Sequence, residues 1–422
     1  MHDFKYKNNR MFCEGVDIAD IAKKVSTPFY LYSYSTLLGH YQKLVSAFRL
    51  KRPLICYSMK ANSNLALCRA LVKKGCGLDI VSGGELYKAL LAGCPPKKIV
   101  YASVGKTEEE IRQAVAKEIL FFNVESASEL ELINKVAKDI GKNASVSLRI
   151  NPDVEPKTHA YITTGKLTNK FGLDLDTARQ ILRHKDKFSH LKFKGLHIHI
   201  GSQIIDAKPY AQALKKILAF IDKLKKDGIG IECLNIGGGL GIIYNEERPQ
   251  TAKEFASQVL PALRKTSLKI ILEPGRFIVG NAGILVTKVL YLKKTPLKNF
   301  VIVDAGMNDL IRPSLYGAYH EILPLNRKPE TGNRKPEKVD VVGPICESGD
   351  FFAKDRQLPK VKEGDLLAIM SAGAYGFSMA SNYNCRLKAA EVMVKGNSFY
   401  MARKRDSYLD LVRKDMIPEF LK

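Results

Sequence analysis

The feature that most constrains this chain is a rhythm. Between Pro53 and Glu273, eight short apolar or β-branched runs recur, separated by segments with helical spacing. The runs are Pro53–Ser58, Gly77–Val81, Ile99–Ala102, Ile119–Val124, Ser145–Ile150, Lys194–Ile200, Ile231–Ile236 and Lys269–Glu273. The intervening segments read as helices, Glu108–Ala116 and Pro209–Lys226 among them. A strand that is apolar along its whole length is buried on both faces, which is the condition of parallel strands covered by helices. Eight such units in about 220 residues fit a closed α/β architecture, a (β/α)8 TIM-type barrel, better than an open sheet.

After Arg276 the rhythm changes. Alternating runs such as Gly283–Tyr291 and Phe300–Asp304 follow one another without long helices between them, which predicts a C-terminal β-rich domain. The tail up to about Ser26 shows no helical period and is assigned to that domain. The expected division is therefore 27–276 for the barrel, with 1–26 and 277–422 for the β-rich domain. A short duplication, NRKPE at Asn326–Glu330 and again at Asn333–Glu337, reads as an exposed loop rather than a solenoid repeat.

Composition removes several classes. Of 422 residues, 45% are hydrophobic and 26% charged, which is globular and neither disordered nor fibrous. No apolar run reaches the roughly 18 residues of a membrane span. The opening MHDFKYKNNR has no apolar h-region, so no secretory leader is expected. The eight cysteines contain no C-x-x-C pair, and reduced thiols in a cytoplasm are the simplest reading. The net charge of +24 favours anions, yet basic residues are interleaved with acids, as in Asp222-Lys223-Leu224-Lys225-Lys226-Asp227, and no nucleic-acid motif is present.

In a barrel of this kind, chemistry collects at the C-terminal ends of the strands. The first strand ends in Tyr57-Ser58-Met59-Lys60-Ala61-Asn62. A lysine there faces the mouth, where apolar walls lower its pKa and make it a Schiff-base nucleophile; a surface lysine is the competing reading. The sixth ends in His197-Ile198-His199-Ile200-Gly201-Ser202-Gln203, with positions 197 and 199 on one strand face. A metal pair would need further ligands at other strand ends, and the remaining histidines do not fall there, so no metal is expected. After the seventh comes Gly237-Gly238-Gly239-Leu240-Gly241, a turn whose backbone N–H groups can converge on an anion. After the eighth comes Glu273-Pro274-Gly275-Arg276, a carboxylate with an arginine beside the usual phosphate position of this fold. A lysine nucleophile, a phosphate cradle, an imidazole plate and a carboxylate are the set that pyridoxal phosphate requires.

These residues carry a resemblance. From about Pro28 to about Asn384 the chain resembles the barrel-fold, pyridoxal-phosphate-dependent amino-acid decarboxylases. YSMKAN, GLDIVSGGEL, HIGSQ, GGGLG and EPGR are spaced as in that family, as are Arg312-Pro313-Ser314-Leu315-Tyr316, Gly343–Asp350 and Gly373-Ala374-Tyr375-Gly376. The resemblance implies that Lys60 binds pyridoxal 5'-phosphate covalently, His199 stacks on its ring, and Glu273 pairs with the ring nitrogen. It implies that Ser202, Gly238, Gly239, Gly275, Arg276 and Tyr375 surround the phosphate, with Arg276 and Tyr375 also facing substrate, and that Asp79 lies near Lys60. Arg312, Tyr316 and Glu347 would hold the distal end of the substrate. Cys346 and Glu347 would cross a homodimer interface, so that two chains complete each site. Either Cys346 or Lys60 would return a proton to Cα.

A glutamate opposite the ring nitrogen keeps it protonated and favours decarboxylation, whereas the similar alanine racemases set an arginine there. An arginine and a carboxylate at the distal end suit a second amino-acid head, carrying both charges, rather than a lone ammonium. The resemblance therefore implies the branch acting on meso-2,6-diaminopimelate, with L-lysine and carbon dioxide as products, the last step of lysine biosynthesis. Ornithine, arginine or carboxynorspermidine is the alternative substrate. A catalytically dead regulator is opposed by the presence of Lys60, His199, Glu273 and Cys346.

Overall fold

A computed structural model describes residues 2–154, 170–327 and 336–422. His159 and most of the NRKPE duplication lie outside the described residues. All eight expected strands are present and close into one parallel barrel. In barrel order they are Leu54–Ser58, Gly77–Ile80, Ile99–Tyr101, Phe121–Val124, Ala144–Arg149, Leu191–His197, Cys233–Asn235 and Lys269–Leu272. The eighth pairs with the first through Ile271↔Leu54 and Leu272↔Ile55, which closes the cylinder.

The helices follow local rules. Glu108–Ala116 starts on a capping box, Thr107 with Glu110, and Ala252–Arg264 on another, Thr251 with Glu254. Lys208–Lys226 buries Tyr210, Ala213, Leu214, Ile217, Phe220 and Leu224, a stripe at spacings of three and four. Its lysines occupy the remaining face, which is where part of the positive charge resides.

Register explains how strands that read as uniformly apolar also build a polar site. An inner layer of Cys56, Val100, Phe121, Cys233 and Ile271 forms an apolar plug. One step toward the C-terminal ends, the same inward parity brings Ser58, Asp79, Asn123, Ser147, His197 and Asn235 into a second layer, all buried. Each is flanked along its own strand by apolar residues facing the surrounding helices.

Contacts divide the chain into two units. The barrel unit is Leu38–Ile242 with Glu247–Ile278; the β-rich unit is Met1–Leu37, Ile243–Glu246 and Val279–Lys422. Two expectations change here. Residues 27–37 belong to the β-rich unit, because Phe29–Ser33 is a fully buried strand paired antiparallel with Gly283–Lys294 and parallel with Ala390–Lys395. The tail does contain a helix, Ile18–Val25, capped by the Asp17 side chain on the Ala19 N–H. Its period is only two turns long, and its buried Ile18, Ile21 and Ala22 match i, i+3, i+4. These side chains join Phe4, Met11, Phe29, Leu31, Ile284, Val286 and Val392 in one core. Around it lie a three-stranded antiparallel sheet, Phe4–Lys7, Arg10–Cys13 and Val16–Asp17, and a larger nine-stranded mixed sheet. Among the described residues, no helix is long and apolar enough to cross a membrane.

Candidate active site

Glu273 follows the eighth strand by one residue and is 4% exposed. Its Oε1 accepts the side-chain amides of Asn123 at 3.0 Å and Asn235 at 2.5 Å, and its Oε2 accepts His197 Nε2 at 3.1 Å. Burial pushes a carboxyl toward its neutral form, but His197 and Lys60 outweigh it and hold Glu273 well below the usual carboxylate range. Burial and the Glu273 charge push Asp79 well above that range, against the opposing pull of Lys60 and the Ser58 hydroxyl. The two carboxyls are thus pushed in opposite directions, Glu273 toward its ionised form and Asp79 toward its neutral one.

Lys60 sits in a 3-10 turn, Met59–Ala61, directly after the first strand. Its Nζ lies 3.9 Å from Asp79 Oδ2, and its side chain is 38% exposed, so the amine reaches the open end of the barrel. His199 departs from expectation in one respect. The sixth strand ends at His197; beyond it the Ile198 N–H still donates to the Asn235 carbonyl at 2.9 Å, but His199 lies outside the strand, so the two histidines do not share a strand face. His197 points inward to Glu273, while His199 Nδ1 accepts the Gly238 N–H at 3.3 Å. Burial, with Lys60 and Arg149 nearby, holds His199 well below its ordinary pKa, so it is a neutral ring.

The glycine loop is pinned from three sides. Tyr210, at the start of Lys208–Lys226, donates its hydroxyl to the Gly238 carbonyl at 2.6 Å. The Gln203 side chain donates to the Ile242 carbonyl at 2.7 Å and accepts the Ile242 N–H at 3.1 Å. The backbones of Ile204 and Gly239 join at 2.9 Å. Glycine is obligatory at two places. A Cβ on Gly238 would stand 1.9 Å from the Glu273 carbonyl oxygen, and Gly239 has φ +97°, with a Cβ that would meet the Gly201 carbonyl at 2.2 Å. Across the same end of the barrel Arg276 Nη2 donates to Ser202 Oγ at 3.1 Å, and a Cβ on Gly275 would stand 3.1 Å from the Cβ atoms of Ser58 and Ala61.

The other candidate residues lie in the β-rich unit. Arg312 opens the short helix Arg312–Tyr316 and is 6% exposed. Its Nη1 lies 3.0 Å from His320 Nε2, and its guanidinium stacks over Tyr244 with 4.6 Å to the ring centroid. Tyr316 ends that helix, half-buried. Cys346 and Glu347 are exposed; the Cys346 N–H donates to Asn384 Oδ1 at 2.9 Å, and Glu347 Oε1 accepts the Gly349 N–H at 3.0 Å. Tyr375 sits in the left-handed region at φ +56°.

Asn123 and Asn235 were not singled out from sequence, and His197 and Gln203 were named only within the run that ends the sixth strand, without the roles they take here. The signal for the first two was a lone polar residue inside an apolar strand, FFNV and CLN, at the inward parity. Among the described residues, no group of three or more His, Cys, Asp or Glu is gathered to hold a metal ion. What the barrel residues offer instead is an accessible amine, a glycine loop beside Arg276 and Ser202, and a buried carboxylate held ionised. That donor set fits a phosphorylated aldehyde carrying a basic ring nitrogen, because the buried anion is matched by a protonated ring.

Comparison with known proteins gives the same direction. Residues 36–280 match the family described as pyridoxal-dependent decarboxylase, pyridoxal binding domain. The chain is 49% identical to the diaminopimelate decarboxylase of Aquifex aeolicus, covering 96% of this chain and 95% of that one. It is similar to the crystal structure of the diaminopimelate decarboxylase of Methanocaldococcus jannaschii at a TM-score of 0.94 and 42% identity, covering 100% and 99%. The Helicobacter pylori enzyme, solved in complex with L-lysine, gives 0.89 and 42%, covering 94% and 98%.

Proposed function

The chain belongs to the pyridoxal-dependent decarboxylases, and on that premise we propose that it converts meso-2,6-diaminopimelate to L-lysine and carbon dioxide. It is a carboxy-lyase, and the reaction is the last step of lysine formation. The observation that carries the chemistry is the buried, ionised Glu273 between two amide donors and His197.

Bound in the barrel, pyridoxal phosphate supplies an aldehyde for amines and a protonated ring that accepts the electron pair left as carbon dioxide departs. In this reading Lys60 would hold it, His199 would face its ring, and Ser202, Gly238, Gly239, Gly275, Arg276 and Tyr375 would take its phosphate. Glu273 keeps the ring proton in place. Its own charge is maintained by Asn123, Asn235 and His197, which cost no reorganisation when the reaction begins. Asp79, pushed toward its neutral form beside Lys60, limits the second negative charge near Glu273. Arg312, Tyr316 and Glu347 take the distal amino-acid head, the arginine its carboxylate and the glutamate its ammonium. Cys346 or Lys60 returns a proton to Cα.

Exposure of Cys346 and Glu347 in the single chain supports their donation across a homodimer interface. Eight free cysteines, six of them buried, support a reducing cytoplasm. The partner is a small amino acid, not a nucleic acid or a membrane.

The test is carbon dioxide release by the purified holoenzyme from meso-diaminopimelate beside ornithine, lysine, arginine and carboxynorspermidine. Release from diaminopimelate alone, with lysine formed, is expected. Release from another of these amines overturns the substrate, and release from none overturns the enzyme.

A further inference from the structure

Given the reading of Arg312 as the site of the distal carboxylate, we propose that His320 is its positioning residue. In this role a neutral imidazole fixes the guanidinium without cancelling its charge, and so sets the preference for an amino-acid head over a bare amine.

The proton on His320 is fixed by its two neighbours. Nδ1 lies 2.7 Å from the Met370 carbonyl, which can only accept, so Nδ1 carries the hydrogen. Nε2 lies 3.0 Å from Arg312 Nη1, which can only donate, so Nε2 presents its lone pair. Neither neighbour can exchange roles. The ring therefore holds one proton in one tautomer, and a second proton would set an N–H against the guanidinium N–H.

A planar guanidinium is oriented by one contact in its plane and one on its face. His320 gives the first. Tyr244 gives the second, with 4.6 Å from the guanidinium carbon to its ring centroid. Tyr244 and His320 also meet edge to face, 5.3 Å between centroids at 77°, so the three side chains close a triangle. Arg312, His320 and Tyr244 are 6%, 0% and 8% exposed. The triangle is tied to the sheet. His320 lies two residues before the strand Ile322–Pro324, and Met370 directly follows Leu366–Ile369, the strand that pairs with it. The Met370 N–H in turn donates to the Glu321 carbonyl at 2.8 Å. The imidazole is thus referenced to a strand pair rather than to a loop.

The choice of histidine has a chemical reason. A carboxylate in its place would pair bidentately with Arg312 and compete with the carboxylate of the substrate. A neutral nitrogen accepts one N–H and brings no opposing charge.

The test uses the holoenzyme and two ligands that differ by one carboxylate, L-lysine and cadaverine. His320→Asn keeps a donor for Met370 and loses the acceptor for Arg312. It is expected to raise KM for meso-diaminopimelate and the dissociation constant of L-lysine roughly ten-fold, with a smaller change in kcat and cadaverine binding within about two-fold of wild type. His320→Gln, whose longer amide can offer an oxygen to Arg312, recovers part of that loss. Tyr244→Leu removes the face contact and supplies a second reading should His320→Asn fail to fold. If the His320 variants lower the melting temperature while the lysine-to-cadaverine preference stays as in wild type, His320 is merely structural and the proposal is overturned. Arg312→Ala separates the two levels. If it abolishes the preference while the His320 and Tyr244 variants keep it, only the positioning role fails. If it leaves the preference unchanged, the distal-carboxylate reading fails and His320 loses its role with it.

Discussion

Glu273→Gln keeps the shape of the side chain and removes its charge, so Asn123, Asn235 and His197 converge on a group that no longer needs three donors. Turnover is expected to fall by about two to three orders of magnitude while the cofactor stays bound, a split read by single-turnover kinetics beside absorbance. Lys60→Ala should abolish both turnover and the visible absorbance of the covalently held cofactor; wild-type-like turnover would remove the lysine from its role. Titration gives a third prediction at this scale. Burial pushes Asp309 up to about 7, against the Gly306 N–H and the charges of Arg386 and Arg405. A carboxyl raised in the folded state stabilises fully below its unfolded value, 3.8, and loses that contribution as pH climbs through about 7. Asp309→Asn should therefore raise stability at pH 8 by up to about 4 kcal/mol and change little at pH 4, which paired thermal melts at the two pH values would reveal. Lys60 and Glu273 were legible because strand ends in a barrel have a known use. Asn123 and Asn235 were not, because an inward polar residue in an apolar strand is indistinguishable from noise until register sets it opposite a carboxylate.

The loop Gly237–Gly241 is the element on which the phosphate end depends. Gly238→Ala places a methyl against the Glu273 carbonyl, 1.9 Å away before relaxation, so either the loop or the end of the eighth strand must move. Cofactor affinity should fall at least ten-fold with the far-ultraviolet circular dichroism unchanged, since the barrel ladder itself is not touched. A fold that is lost altogether would mean the loop closes the barrel rather than only decorating it. At this scale the sequence was most informative. Continuous apolar runs, capping boxes and a nineteen-residue amphipathic helix each have a local cause. The two-turn helix Ile18–Val25 was hidden, because two turns give the 3.6 period too little length to stand out. The sixth strand stops at His197 for a reason that no local pattern carries. The neighbours of the next residues are the glycine loop after the seventh strand and not a further strand.

The whole molecule is two units threaded by one chain that passes from the β-rich unit to the barrel and back, with a brief return at Ile243–Glu246. The expected boundary at residue 27 placed the whole strand Phe29–Ser33 with the barrel, because its partners in the β-rich unit show only in three dimensions. If Glu347 completes the site of a second subunit, mixing Lys60→Ala with Glu347→Ala chains should restore about one quarter of wild-type activity from two weak variants. No recovery on mixing would place each site within one chain. The interleaving also has a consequence in time. Phe29–Ser33 leaves the ribosome early, yet its partners Gly283–Lys294 and Ala390–Lys395 come from the last third of the message. At about 5–20 residues per second, the roughly 250 residues between them take some 12–50 seconds to make. Throughout that interval the barrel segment can close while one apolar strand waits with both edges bare. The nascent chain is therefore most exposed to aggregation before its C-terminal third exists, and a stall downstream of the barrel should be more harmful than one inside it.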